Sequence, residues 1–310
     1  MMMTSPGFAP YFRQAIESAL AQRTTFFYEI VVGDDGSQDG TREMILEYAE
    51  RYPHIVRPVL HAVRWGTCTG NFLATLAECR GEYVARLDGD DFYLDPLKLQ
   101  KQADLMDERP EIGFCAHWAA YLPYGKEAFS TLRYGQEGKK NFYALEDFLA
   151  EGPGLATGTT MFRRAWMTPP PAWAPRMIFE DYGTWIWLSR RGGCLFLNET
   201  LSVYRERLDG VYHGLEEESR WSRLWHDHRI VGRELGLTRN AAWRRGAARA
   251  LSGIARACRE KGKIGAALAA TFGVFRYRPL SLWPETLRIF LFLLCPFLYR
   301  FRRKTTSQLS

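Results

Sequence analysis

A chain of 310 residues with 46% hydrophobic and 25% charged side chains can bury a full core, so disorder is not the default and there is room for one large domain with an extension, or two domains. The net charge of +6 is uneven: residues 216–310 carry 19 Lys and Arg against 7 Asp and Glu, a net +12, leaving 22 against 28, a net −6, for residues 1–215. Different partners are therefore expected for the two parts.

From Met1 to Thr4 the chain reads as a short strand. Ser5-Pro6-Gly7 then leads into a helix over 9–21, with Phe12, Ile16 and Leu20 at helical spacing. The second strand is predicted over Tyr28–Val32. It runs into Gly33-Asp34-Asp35-Gly36-Ser37-Gln38-Asp39-Gly40-Thr41 and then into a helix over about Thr41–Arg51 that carries Met44, Ile45, Leu46 and Tyr48. An EF-hand reading of Asp35 to Gly40 fails, because Leu46 stands at the loop position where a bidentate glutamate is required. A third strand is predicted over Ile55–Leu60, followed by a helix over Asn71–Cys79 that Gly81 closes.

The fourth strand, Tyr83-Val84-Ala85-Arg86-Leu87, ends in Asp88-Gly89-Asp90-Asp91. Carboxylates crowded at a strand tip repel and raise one another's pKa, and a hard divalent ion with oxygen ligands relieves this. The alternative is an acidic turn that caps the next helix, read from Pro96 to Asp107 with proline in its first turn. The carboxyl end of a strand in an open α/β sheet is also where ligands sit. Strands alternating with helices at this spacing predict a mostly parallel sheet covered on both faces.

Ile112–Tyr121 reads as a further strand, Tyr124–Lys140 as a Gly- and Lys-rich loop, and Gly152–Thr160 as a Gly/Thr loop leading into Met161-Phe162-Arg163-Arg164. After a Pro-rich stretch, Glu180-Asp181 opens an aromatic helix with Tyr182, Trp185 and Trp187. Acidic residues there complement a helix N-terminus whatever else they do. Cys194–Leu197 and Leu201–Tyr204 look like a closing pair of short strands that end in Arg205-Glu206-Arg207.

Helices rich in arginine and alanine follow over Glu217–Glu234, Ala241–Lys261 and Ile264–Phe275. His226-Asp227-His228 reads as solvated surface, since positions i and i+2 do not share a helix face. Ile289–Tyr299 is an apolar run bracketed by arginines, too short to span a bilayer. It suits either an interfacial helix on anionic lipid or a terminal helix packed on the body with a basic tail. Nucleic-acid binding by this tail is not expected, because its arginines are scattered without a recognisable motif. The six cysteines lack CxxC or metal spacing and read as buried free thiols of a reducing cytosol, and no signal peptide is visible after Met1-Met2-Met3.

The stretches Glu29 to Thr41, Leu87 to Asp91 and Glu180-Asp181 resemble, in order and spacing, the three markers of family 2 glycosyltransferases, inverting enzymes with the GT-A nucleotide-sugar fold. The resemblance covers about residues 1–213. It implies an α/β, Rossmann-like catalytic domain over 1–215, its mixed sheet mostly parallel with helices on both faces, and an α-helical extension over 216–310. Asp35 would accept the base N–H of the nucleotide, Asp88 would lie near the ribose and metal, and Asp90 would ligate Mg²⁺ or Mn²⁺. A general base at Asp181 would take the proton of the acceptor hydroxyl. Residues read independently agree, since Asp181 beside Glu180 on an aromatic helix is a partly desolvated carboxylate near a sugar-stacking surface.

Tyr204-Arg205-Glu206-Arg207 matches a Tyr-Arg-x-His stretch that faces the diphosphate, with arginine where histidine is usual. Arg205, Arg207 and Glu180 are accordingly diphosphate or acceptor candidates, and Asn71 and Gly158-Thr159-Thr160 match positions lining the cleft. The family opens with a full strand and a Thr/Ser-Tyr-Asn turn. Here Met1–Ser5 match only the strand's end, Pro6-Gly7 replace the Tyr-Asn pair, and Thr4 becomes the candidate base contact. The implied activity is metal-dependent transfer of a sugar from a nucleoside-diphosphate donor to a glycan or lipid-linked acceptor, in cell-envelope polysaccharide synthesis at the cytoplasmic face of the membrane. Two alternatives are a nucleotidyltransferase, whose glycine-rich basic phosphate loop Ser5-Pro6-Gly7-Phe8 does not supply, and a non-catalytic sugar-nucleotide or glycan-binding module of the same fold.

Overall fold

The computed structural model describes residues 1–128, 130–134, 140–152, 154–210 and 214–277. Two compact units divide the chain, one of residues 1–148 and 152–214, the other of residues 149–151 and those from Leu215 onward.

The first unit opens with β1 (Met2–Thr4), α1 (Ala9–Leu20), β2 (Ile30–Asp34), α2 (Thr41–Arg51), β3 (Val56–Leu60) and α3 (Cys68–Glu78). There follow β4 (Tyr83–Ala85), β5 (Leu87–Asp88), β6 (Phe92–Tyr93), α4 (Lys98–Glu108), β7 (Phe114–Leu122), β8 (Ser130–Tyr134), β9 (Phe142–Tyr143), α5 (Leu145–Ala150, whose last two residues are counted with the second unit), β10 (Met161–Arg163), α6 (Glu180–Ser189) and β11 (Cys194–Arg205). One sheet has the order β3-β2-β1-β5 and is parallel throughout. The second, of seven strands, is mixed: β11 runs parallel to β7, while β10, β6, β8 and β9 pair antiparallel with their neighbours. This is the expected α/β architecture.

Side-chain alternation explains why the parallel sheet is covered on both faces. Met2, Ile30 and Val32 join a core with Phe12 and Ile16 of α1, Ile45 and Tyr48 of α2, and Met106 of α4. Burying each such side chain is worth roughly 1.5–3 kcal/mol. The alternate face of β2 meets α3, whose Asn71 amide donates to the Gly33 and Thr4 carbonyls, both at 3.0 Å.

Several expectations are corrected. The fourth strand is two: Tyr83–Ala85 pairs antiparallel with β10 in one sheet, and Leu87–Asp88 pairs parallel with β1 in the other, so the chain changes sheets at Arg86. α4 begins at Lys98 behind Leu97, leaving Pro96 ahead of the helix, and Gly81 is absent from the glycines with positive φ. The supposed loop from Tyr124 holds β8, a strand hydrogen-bonded to β7. The closing pair of strands is one long strand, β11, with irregular register between Leu197 and Ser202. Cys68 is exposed, whereas Cys79, Cys115, Cys194 and Cys258 are buried thiols. At the amino ends of the parallel strands, away from the acidic loops, Met1, Met2, Tyr28, Val31 and Leu87 help line an apolar cavity of about 300 Å³.

The second unit contains α7 (Glu217–Glu234), α8 (Ala241–Glu260) and α9 (Ile264–Tyr277). Asn240 caps α8 by accepting from Ala242 N at 2.8 Å and Trp243 N at 3.1 Å. Gly232 lets α7 approach α8, because a Cβ there would lie 2.3 Å from the Trp243 ring. Asp227 and His228 are buried, which overturns the solvated-surface reading of that stretch. Among the described residues no helix is long and apolar enough to cross a membrane. The apolar run Ile289–Tyr299 and Cys295 lie outside the described residues.

Candidate active site

Asp34 ends β2 fully buried and acts as the knot of the first acidic loop. Its carboxylate accepts from Ser37 N at 3.2 Å, from Arg42 Nε at 2.9 Å and from the Thr4 hydroxyl at 3.3 Å. Thr4 is thereby engaged with the scaffold, as is Asn71, whose side-chain oxygen also meets His61 Nε2 at 3.1 Å. Asp39 accepts from Gly7 N at 2.6 Å and Ala9 N at 3.3 Å with one oxygen and from Thr41 N at 3.2 Å with the other, tying the start of α1 to the start of α2. Burial alone would raise its pKa, but these donors hold it below the ordinary value. Asp35, buried beside Asp34, accepts from Trp65 N at 2.7 Å and lies 3.7 Å from Arg64 Nε.

The second acidic loop leaves β5 alongside β1, where Gly89 N donates to the Met3 carbonyl at 2.7 Å. Burial pushes the Asp88 carboxyl up to about 7, with the charges of Asp90 and Glu180 adding and Arg86 opposing. Asp90 is also raised by burial, against the pull of Arg207, and Asp91 stands well above the ordinary range through burial and the charges of Asp90 and Asp88. Arg205 clasps this loop from behind: its backbone N donates to Asp91 Oδ1 at 2.8 Å, and its Nε donates to the Asp90 carbonyl at 2.7 Å. Its guanidinium lies over the Tyr11 ring at 4.7 Å. Arg207 Nη1 donates to Asp90 Oδ2 at 3.2 Å.

Glu180 and Asp181 begin α6. Burial and then the Glu180 charge push Asp181 up to about 7. Glu180 is held in a bidentate pair with Arg86, one arm at 3.2 Å, and Arg86 is only 1% exposed, with its guanidinium over the Phe72 ring at 4.8 Å. Tyr93 donates its hydroxyl to the Arg86 carbonyl at 2.8 Å. Arg86 was missed from sequence alone. The available signal was a single arginine inside an apolar strand, two residues before Asp88.

Asp88 thus feels the charges of Asp90 and Glu180, and Asp181 those of Glu180 and Asp88. Among the described residues no group of three or more His, Cys, Asp or Glu is arranged to hold a metal ion. The adjacent Asp88 and Asp90 carboxylates, destabilised by burial and mutual repulsion, nevertheless fit a hard divalent ion whose remaining ligands come from elsewhere.

The sequence pattern of the family "Glycosyl transferase family 2" matches residues 7–168. The uncharacterized protein Rv1520 of Mycobacterium tuberculosis is 32% identical over 222 residues, which cover 70% of this chain and 61% of that protein, so the chain spans less than two thirds of that relative. An uncharacterized glycosyltransferase of Nostoc, alr2836, is 35% identical over 117 residues, covering 38% of this chain and 35% of its own length. Among solved structures, S. aureus TarS residues 1–349 in complex with UDP-GlcNAc aligns over 89% of this chain and 88% of its own at 14% identity, with a TM-score of 0.53. The mannosyltransferase PcManGT from Pyrobaculum calidifontis, in complex with GDP-Man and Mn²⁺, covers 96% of this chain and 87% of its own at 16% identity and a TM-score of 0.51. These likenesses establish the shared fold.

Proposed function

Because this chain belongs to glycosyl transferase family 2, we propose that it transfers a sugar, with inversion, from a nucleoside-diphosphate donor to a hydroxyl of a glycan or lipid-linked acceptor. The observation that carries the reading is the pairing of Glu180 with Arg86, which leaves Asp181 as the neighbouring carboxylate with a proton affinity near neutrality. A group of that kind takes a proton from an attacking hydroxyl at ordinary pH.

Residues 1–215 would carry the transfer site and 216–310 a basic helical extension. Asp35 would accept from the nucleotide base at the end of β2. Asp88 and Asp90 would hold a divalent ion, Mg²⁺ or Mn²⁺, whose role when bound is to neutralise the donor diphosphate as the leaving group departs. PcManGT is in complex with Mn²⁺ and GDP-Man, and TarS with UDP-GlcNAc, which supports a sugar nucleotide as the donor class. Arg205 would hold the Asp88 to Asp91 loop rigid through Asp90 and Asp91. Asp181 would deprotonate the acceptor on the face opposite the leaving group, so that a single displacement inverts the sugar carbon.

The test is a panel of UDP-, GDP- and dTDP-sugars with Mn²⁺, read by release of nucleoside diphosphate and by direct binding. Turnover of one donor, abolished in Asp181→Asn with binding retained, is the expected result. Failure of every donor to bind or react overturns the reading.

A further inference from the structure

Arg207 donates to the second acidic loop, and the inference about it rests on the donor-binding reading above. Its side chain is 4% exposed. Nη1 reaches Asp90 Oδ2 at 3.2 Å, while Nε and Nη2 grip the Asp209 carboxylate at 3.1 and 2.7 Å. The guanidinium lies over the Phe8 ring at 4.7 Å and near the Tyr11 ring at 5.3 Å. Gly7 makes room for it: φ is +95°, and a Cβ there would stand 2.6 Å from Nη2. Two of the places where the sequence departs from the family pattern, glycine for asparagine at 7 and arginine for histidine at 207, therefore meet at one point.

We propose that Arg207 is a resident counter-cation of Asp90, which competes with the divalent ion for that carboxylate and yields it when a donor diphosphate arrives. The histidine of the usual pattern carries no such fixed charge, whereas a guanidinium is always charged and suits both carboxylate and phosphate. While Arg207 occupies Asp90 Oδ2, the ion has a poorer site. A diphosphate offers Arg207 a new anionic partner and the ion further oxygens, so metal and nucleotide each tighten the other's binding by the same factor. Asp209, 71% exposed, is the anchor that returns Arg207 to its place.

The experiment is titration of Mn²⁺ into the full chain, followed by loss of the free-ion EPR signal, alone and with UDP or GDP. Wild type, Arg207→Ala, Arg207→His and Asp209→Asn are compared, with circular dichroism to check folding. Without nucleotide, Arg207→Ala and Arg207→His are expected to bind Mn²⁺ about tenfold more tightly than wild type, and Asp209→Asn about threefold, whereas with nucleotide the gap narrows. Should Arg207→Ala not fold, the surface substitution Asp209→Asn decides alone. Equal Mn²⁺ affinity of wild type and the variants without nucleotide overturns the proposal, whatever the nucleotide does. If the metal-alone ranking holds but no nucleotide binds, the competition stands, and the coupling falls together with the donor reading.

Discussion

At the scale of single residues, the division of labour between Glu180 and Asp181 follows from who neutralises each. Arg86 pairs with Glu180, while burial and then the Glu180 charge push the Asp181 carboxyl up to about 7. Asp181→Asn is expected to lower kcat by about 10²–10⁴ while leaving donor binding within a factor of two, a split that separates a base from a binding group. The base works only when unprotonated. Activity should therefore rise with pH through about 7 and fall away below it in a pH profile of kcat/KM, and Asp181→Asn should make that acidic limb shallower, the remainder coming from Asp88, which is pushed up to about 7 as well.

Between elements, two contacts make stability predictions. The Arg86–Glu180 pair joins the junction of β4 and β5 to the start of α6. Arg86→Met would leave the Glu180 charge buried without its partner and is expected to destabilise the chain by about 3–5 kcal/mol in denaturant unfolding, with part recovered in Arg86→Met/Glu180→Gln. In the helical unit, His228 of α7 stacks on Trp243 of α8 at 4.8 Å and donates from Nε2 to the Trp243 carbonyl at 2.8 Å. Burial lowers its pKa from 6.5 to about 4 against the pull of that carbonyl. The unfolded chain therefore binds the extra proton first. Stability is complete above about pH 6.5 and is lost as pH falls toward 4, by about 3 kcal/mol in all. Thermal melts across this window should show the loss in wild type and a flatter profile in His228→Gln.

At the scale of the whole molecule, charge and ligand linkage make the predictions. A nucleoside diphosphate that binds only with Mn²⁺ should raise the melting temperature when both are present, by about 2.7 kcal/mol of stabilisation at a hundredfold excess over Kd, and Asp90→Ala should abolish the shift. The +12 balance of residues 216–310 against −6 for the remainder predicts that the chain sediments with anionic lipid vesicles at low salt, is released as ionic strength rises, and ignores neutral vesicles.

The helices Thr41–Arg51 and Glu217–Glu234 were legible with their bounds, and so was the placing of acids and glycines after apolar strand runs, since periodicity and turn chemistry act within a few residues. The carboxylates Asp35, Asp88, Asp90 and Asp181 stand out in the sequence as types in a spacing, and their roles rest on the resemblance. Three other features depended on contacts distant in the chain. The change of sheets at Arg86 is set by which strands flank each half of that segment. Residues 194–205 form one strand because β7 runs beside their whole length and carries the register across its irregularity. Arg86 meets Glu180 across 94 positions and Arg207 meets Asp90 across 117, pairings that no local pattern encodes because the cost of burying each charge is offset only where the folded chain delivers its partner.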